Sequence, residues 1–140
     1  MLNPYMNRFG RDKQKKFEVY KDLEFLACEM NSMVDAVVVE GMHDKITLKS
    51  LGLKMPIILV SCGSPFNQIV ERVTERFDRV AILTDFDEEG ERIGRRLTEL
   101  MERGGVKVDR FYRKTFRKLM KSVGLTTLES IYKLKKDIFH

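Results

Sequence analysis

Apolar residues along this chain change rhythm several times. Over residues 12–33 they fall at Phe17, Tyr20, Leu23, Leu26, Ala27 and Met30, the three-and-four spacing of one helix face. Three short β-branched runs follow, at residues 36–39, 57–60 and 80–83, and none alternates with polar residues. Strands of that kind are buried on both faces, as in a parallel sheet. Between and after them the helical spacing returns, in Phe66, Ile69, Val70, Val73 and Phe77 and again in Ile93, Leu97, Leu100 and Met101. Ser64-Pro65 opens the first of these helices as an N-cap with proline at N1. Gly104-Gly105 closes the second, and Val106-Lys107-Val108 offers a fourth strand. This alternation predicts an α/β protein with an open, mostly parallel four-stranded sheet flanked by helices.

The last third is helical again. Phe116, Leu119, Met120 and Val123 make an apolar face, and Gly124 can end that helix. Thr126 with Glu129 has the capping-box spacing for a further helix carrying Leu128, Ile131, Tyr132 and Leu134. The expected organisation is a helical N-terminal extension over residues 1–34 packed on a domain at 35–110, with a basic helical extension at 111–140.

Composition narrows the class. A chain of 140 residues with 43% hydrophobic and 34% charged residues suits one folded domain with its own core. No apolar run approaches the roughly 20 residues of a membrane helix, and the first 16 residues lack the apolar stretch of a signal peptide. A cytoplasmic location and no membrane partner are expected. Cys28 and Cys62 are expected to be reduced and unpaired, and two cysteines cannot make a four-ligand zinc site.

Charge is unevenly spread. Residues 35–103 carry 10 Lys/Arg against 13 Asp/Glu, whereas residues 104–140 carry 10 against 3. An acidic middle beside a basic tail can hold a metal next to a polyanion; a solvated helix face is the plainer alternative for the tail. Arg113, Lys114, Arg117, Lys118 and Lys121 share the polar side of the helix that begins the tail.

Two acid clusters stand at equivalent places, each at the carboxyl end of a predicted strand. The first strand runs into Glu40-Gly41-Met42-His43-Asp44, the third into Thr84-Asp85-Phe86-Asp87-Glu88-Glu89-Gly90-Glu91. Ligand sites in open α/β sheets form beyond such ends. If the two strands are neighbours, Glu40, Asp85 and Asp87 meet in one crevice, where their repulsion calls for a cation. Oxygen ligands favour magnesium or manganese. The simpler alternative for Asp87 is an N-cap, with Glu88, Glu89 and Glu91 answering the helix dipole. A calcium-binding EF-hand loop needs a glutamate at its twelfth position, where this chain has Arg96, and a helix where it has a strand. Neither Gly-x-Gly-x-x-Gly nor Gly-Lys-Ser/Thr occurs, so nucleotide-binding loops of those types are excluded; Gly90 and Gly94 fit close helix–sheet packing instead.

The segment Val37-Val38-Val39-Glu40-Gly41-Met42-His43-Asp44 resembles the first motif of the Toprim family, a hydrophobic strand ending in Glu-Gly-x-x-Asp. The segment from Val80 to Gly90 resembles the second, a strand ending in Asp-x-Asp followed by glycine. The resemblance covers roughly residues 35–110 and implies the Rossmann-like Toprim fold. It also implies Glu40 as general acid or base in phosphodiester chemistry and Asp85 and Asp87 as magnesium ligands, with Glu40 beside them. Glu89 lies where type IA topoisomerases carry a further acid. Gly41, Asp44 and Gly90 are the supporting positions of the motifs.

The chain has no gate domain with a nucleophilic tyrosine, no primase zinc domain and no four-cysteine site, so it is most similar to small stand-alone Toprim proteins. The nuclease that matures 5S ribosomal RNA is related to that group, through Val37-Val38-Val39-Glu40-Gly41 and Ile82-Leu83-Thr84-Asp85. The expected function is magnesium-dependent (or manganese-dependent) cleavage or transfer of phosphodiesters in RNA or DNA, with the basic tail on backbone phosphates. The alternative is a non-catalytic, metal-holding nucleic-acid-binding or adaptor protein.

Overall fold

A computed structural model describes residues 8–61 and 63–139. Cys62, the first seven residues and His140 lie outside the described residues, and with them the expectation for Cys62. Cys28 is free and exposed.

Helix α1 (Arg8–Met33) leads into strand β1 (Ala36–Val39), helix α2 (Met42–Ser50) and strand β2 (Ile57–Leu59). Helix α3 (Phe66–Arg76), strand β3 (Arg79–Ile82), helix α4 (Glu88–Arg103) and strand β4 (Lys107–Asp109) follow. Helix α5 (Phe111–Ser122), a 3-10 turn (Leu128–Ser130) and helix α6 (Ile131–Phe139) complete the chain. The four strands form one parallel sheet in the order β2-β1-β3-β4. The fold is therefore the expected α/β sheet with flanking helices. Among the described residues no helix is long and apolar enough to cross a membrane.

The unbroken apolar runs have a simple cause: both faces of the sheet are covered. Ala36 and Val38 of β1 and Val80 and Ile82 of β3 face a core shared with Val70 and Val73 of α3 and Leu97 and Met101 of α4. Val37, Val39, Ala81 and Leu83 face the opposite core, built with α1, α5 and α6 through Leu23, Met30, Phe116, Met120 and Leu134. The Tyr112 hydroxyl donates to Glu29 Oε1 at 2.6 Å, tying α5 to α1, and the Phe139 ring lies edge-on to Phe17 and Tyr20.

Helix α2 is not among the expected elements, since it has too few apolar positions to show a face; only Asp44, Thr47 and Leu48 are buried in it. Two local expectations need correction. Pro65, not Ser64, is the N-cap of α3, because its extended backbone (ψ 152°) stands outside the helix and its carbonyl accepts from Gln68 and Ile69. The Thr126–Glu129 capping box does not form. Thr127 is the N-cap residue without a side-chain bond, and the free amide of Leu128 donates to Asp85 instead. Gly124 does follow α5 as expected, with φ +75°, where a side chain would be strained.

Candidate metal centre

Strand order places the site. The chain steps from β1 outward to β2, then crosses back to add β3 on the other side of β1. The carboxyl ends of β1 and β3 thus flank the switch point, where the following loops diverge and leave a crevice. Val38 pairs with Ile82 in register, so Glu40 and Asp85 leave neighbouring strand ends.

On the β1 side, Glu40 is held through its backbone, its carbonyl accepting from Ser61 N–H at 2.9 Å. Gly41 continues extended, and α2 begins at once. Asp44, in the first turn, folds back so that its Oδ2 accepts from Gly41 N–H at 3.0 Å. This bond satisfies a helix-start donor, and Asp44 is only 7% exposed.

On the β3 side the loop is fastened at each residue. The fully buried Thr84 donates its hydroxyl to the Gly90 carbonyl at 2.7 Å. Asp85 Oδ1 accepts from Leu128 N–H at 2.9 Å, and Phe86 N–H donates to the Thr126 carbonyl at 2.6 Å. Asp87 Oδ1 accepts from Gly90 N–H at 2.8 Å and so caps α4. Gly90 is required here, since a Cβ would stand 2.1 Å from the Asp85 carbonyl oxygen.

Glu40, Asp44 and Asp85 each bring one carboxylate oxygen within 4.8 Å of the others. Burial, then the charge of Asp85 and a hydrogen bond with its side chain, and then the charge of Asp44, push the Glu40 carboxyl from its ordinary 4.5 up to about 7, against a bond with the Asp85 backbone. Burial also raises Asp44, and the charges of Asp85 and Glu129 add to it against the Gly41 bond. Glu40 Oε1 is buried without a hydrogen-bond partner. A buried lone oxygen among three carboxylates has the donor chemistry of a hard divalent cation, which would satisfy the oxygen and neutralise the repulsion.

The other candidate residues lie elsewhere. Asp87 and Glu89 are outside the three-oxygen cluster; Asp87 has one oxygen committed to the α4 cap, and Glu89 makes an exposed pair with Arg92 at 2.6 Å. Exposed His43 is on α2, also outside the cluster. Lys114, Lys118 and Lys121 are exposed along α5. Arg113 and Arg117 differ from the freely solvated cations that the tail pattern suggested: both bind Glu91, at 2.6 Å each, with Arg113 12% and Arg117 33% exposed. Burial alone would raise Glu91, but the bonds from Arg117 and Arg113 bring it down to about 2. A groove of about 590 Å³ between α4 and α5 is lined by these residues with Arg95, Arg110 and Lys114.

Residues 35–118 match the family described as Toprim domain. A UPF0292 protein of Pyrococcus horikoshii is 32% identical over 117 residues, which cover 82% of this chain and 87% of the relative. A UPF0292 protein of Thermococcus sibiricus is 33% identical over 84% of this chain and 90% of its own length. One of Methanosarcina acetivorans is 29% identical over 85% and 81%. Among solved structures, a putative protein from Aquifex aeolicus is similar in fold, with a TM-score of 0.62 and 26% identity over 82% of this chain and 96% of that one.

Proposed function

The chain belongs to the Toprim domain family, with UPF0292 proteins as its relatives, and from that premise we propose that it performs magnesium-dependent phosphodiester chemistry on nucleic acid. A Toprim domain implies a metal-dependent function connected with nucleic acid, and the acidic cluster is fit to hold a metal. The observation that carries the finer reading is the partnerless, buried Oε1 of Glu40, whose carboxylate clusters with those of Asp44 and Asp85 at the switch point.

Glu40, Asp44 and Asp85 would hold the ion, magnesium or manganese, with Asp87 and Glu89 as the outer acids that the family resemblance adds. Such an ion supplies charge neutralisation at phosphate oxygens. The protein supplies the rest. Glu40, a carboxylate when the ion is bound, can take a proton from the attacking water or hydroxyl and return it to the leaving oxygen of the phosphodiester. Lys114, Lys118 and Lys121 offer three exposed cations on one helix to backbone phosphates, a contact that is independent of sequence. Kinship with the 5S ribosomal RNA maturation nuclease is part of this proposal, and it makes structured RNA the first substrate to try.

The test is a cleavage screen of structured RNA and of nicked and supercoiled DNA with magnesium or manganese. Wild type is expected to cleave at least one, and Glu40→Gln is expected to bind it without cutting. Metal binding with no cleavage of any substrate would instead leave a metal-holding adaptor, the alternative function.

A further inference from the structure

Helix α5 reaches the carboxylate crevice from behind. Its Arg113 side chain, only 12% exposed, runs under the carboxyl end of β3. There Nη1 donates to the carbonyls of Ile82 and Thr84, both at 3.0 Å, and Nη2 lies 3.4 Å from the carbonyl of Asp85. Backbone carbonyls near the end of a strand still need donors when they are buried. One guanidinium serves three carbonyls within four residues, and the third belongs to the residue whose carboxylate enters the cluster.

The surroundings are shaped to hold that guanidinium. At Gly94 a Cβ would lie 2.8 Å from Thr84 Oγ1 and 2.9 Å from Arg113 Nη2, so the bare backbone of α4 makes the room. The Phe86 ring covers the guanidinium at 4.9 Å. Glu91 accepts from Arg113 Nη2 at 2.6 Å and is itself gripped by two nitrogens of Arg117. The hydrogen bonds of this cation go to the strand-end backbone and to Glu91.

We propose that Arg113 is a positioning residue for the carboxylate centre: it fixes the backbone of residues 82–85 on the course that brings Asp85 to Glu40 and Asp44, and Glu91 holds Arg113 in place. In its metal readout this inference rests on the function proposed above. Lysine cannot replace the arginine, because a single ammonium lacks the planar fork that spans these carbonyls.

The experiment compares wild type with Arg113→Lys, Arg113→Met and Glu91→Gln, using Arg95→Met in the same groove as the control. Two quantities are read: manganese affinity by electron paramagnetic resonance, and amide exchange at Phe86, Leu128 and Val38 by NMR. In folded Arg113→Lys, manganese binding weakens by about tenfold or more, and exchange at Phe86 and Leu128 speeds up by about tenfold while Val38 in β1 keeps its rate. Arg95→Met changes neither. A residue that only stabilised the fold would speed exchange at Val38 as well and leave manganese affinity of the folded protein intact.

Manganese affinity within about twofold of wild type, with Phe86 and Leu128 unchanged in the folded variants, overturns the proposal. If wild type binds no manganese, the metal proposal fails separately. Exchange at Phe86 and Leu128 then decides the role of Arg113 on its own, and unchanged rates overturn it. Should Arg113→Met fail to fold, the lysine and Glu91→Gln variants carry the comparison.

Discussion

Glu40 holds a proton more tightly in the folded protein than in the unfolded chain, because burial and the neighbouring acids raise its carboxyl from 4.5 to about 7. For an acid shifted upward, the folded state loses stability as pH climbs through that window and levels off above it. Metal-free Glu40→Gln is therefore expected to be more stable than wild type well above pH 7, by about 1–2 kcal/mol once solvent screening of a half-buried group is allowed for. The gap closes below about 4.5, where Glu40 is neutral in both states. Urea unfolding in chelator at several pH values checks this, and a variant less stable at every pH would refute it. Glu91 has the opposite sign: its carboxyl is held down at about 2, so its contribution is present above 4.5 and fades as pH falls toward 2. Gly90→Ala would drive a methyl to 2.1 Å from the Asp85 carbonyl oxygen. Backbone there must shift, at about 1–3 kcal/mol. Thermal unfolding that matched wild type would show that the loop gives way freely.

Helix α5 serves two purposes on two faces. Its inward arginines, Arg113 and Arg117, belong to Glu91, whereas Lys114, Lys118 and Lys121 stand in solvent. Changing these three lysines to glutamate is expected to weaken nucleic-acid binding and to lower the slope of log affinity against log salt by about 2–3. An unchanged slope in a fluorescence titration would mean that α5 merely covers the sheet. Helix α5 also marks where local sequence stops being informative. Spacing put Arg113 and Arg117 on a cationic face, but their carboxylate lies more than 20 residues away, on α4. The strands were far more legible, because β1 and β3 are continuous apolar runs that lie within one residue of their expected bounds. Acids at both strand ends were equally plain, and the pairing of β1 with β3 brings Glu40 and Asp85 together. Short, polar α2 has no stripe to read, so the burial of Asp44 among the clustered carboxylate oxygens could not be seen in the motif. The Thr126–Glu129 spacing promised a local cap, yet a tertiary acceptor, Asp85, took the amide.

At the scale of the molecule, the two cores on either side of the sheet carry stability, while repulsion among the acids in the crevice between β1 and β3 works against it. A divalent ion that binds only the folded state raises stability by about 2.7 kcal/mol at a hundredfold excess over its dissociation constant. For a domain of this size that corresponds to a rise of several degrees in Tm. Wild type is expected to show this rise with manganese and Asp85→Asn to lose most of it. Because Glu40 must give up its proton to bind, the rise should be larger above pH 7 than below it. Equal shifts in wild type and Asp85→Asn would move the ion to another site.

The bond from Leu128 N–H to Asp85 Oδ1 also sets an order of events during synthesis. Both acid motifs leave the ribosome well before residue 128 does. Until then Asp85 lacks the backbone donor that orients it, and α6 is not there to close the core around it. The growing chain thus displays its acids early and assembles their final arrangement late. The arrangement proposed to hold a metal therefore waits for residues beyond the last strand of the sheet.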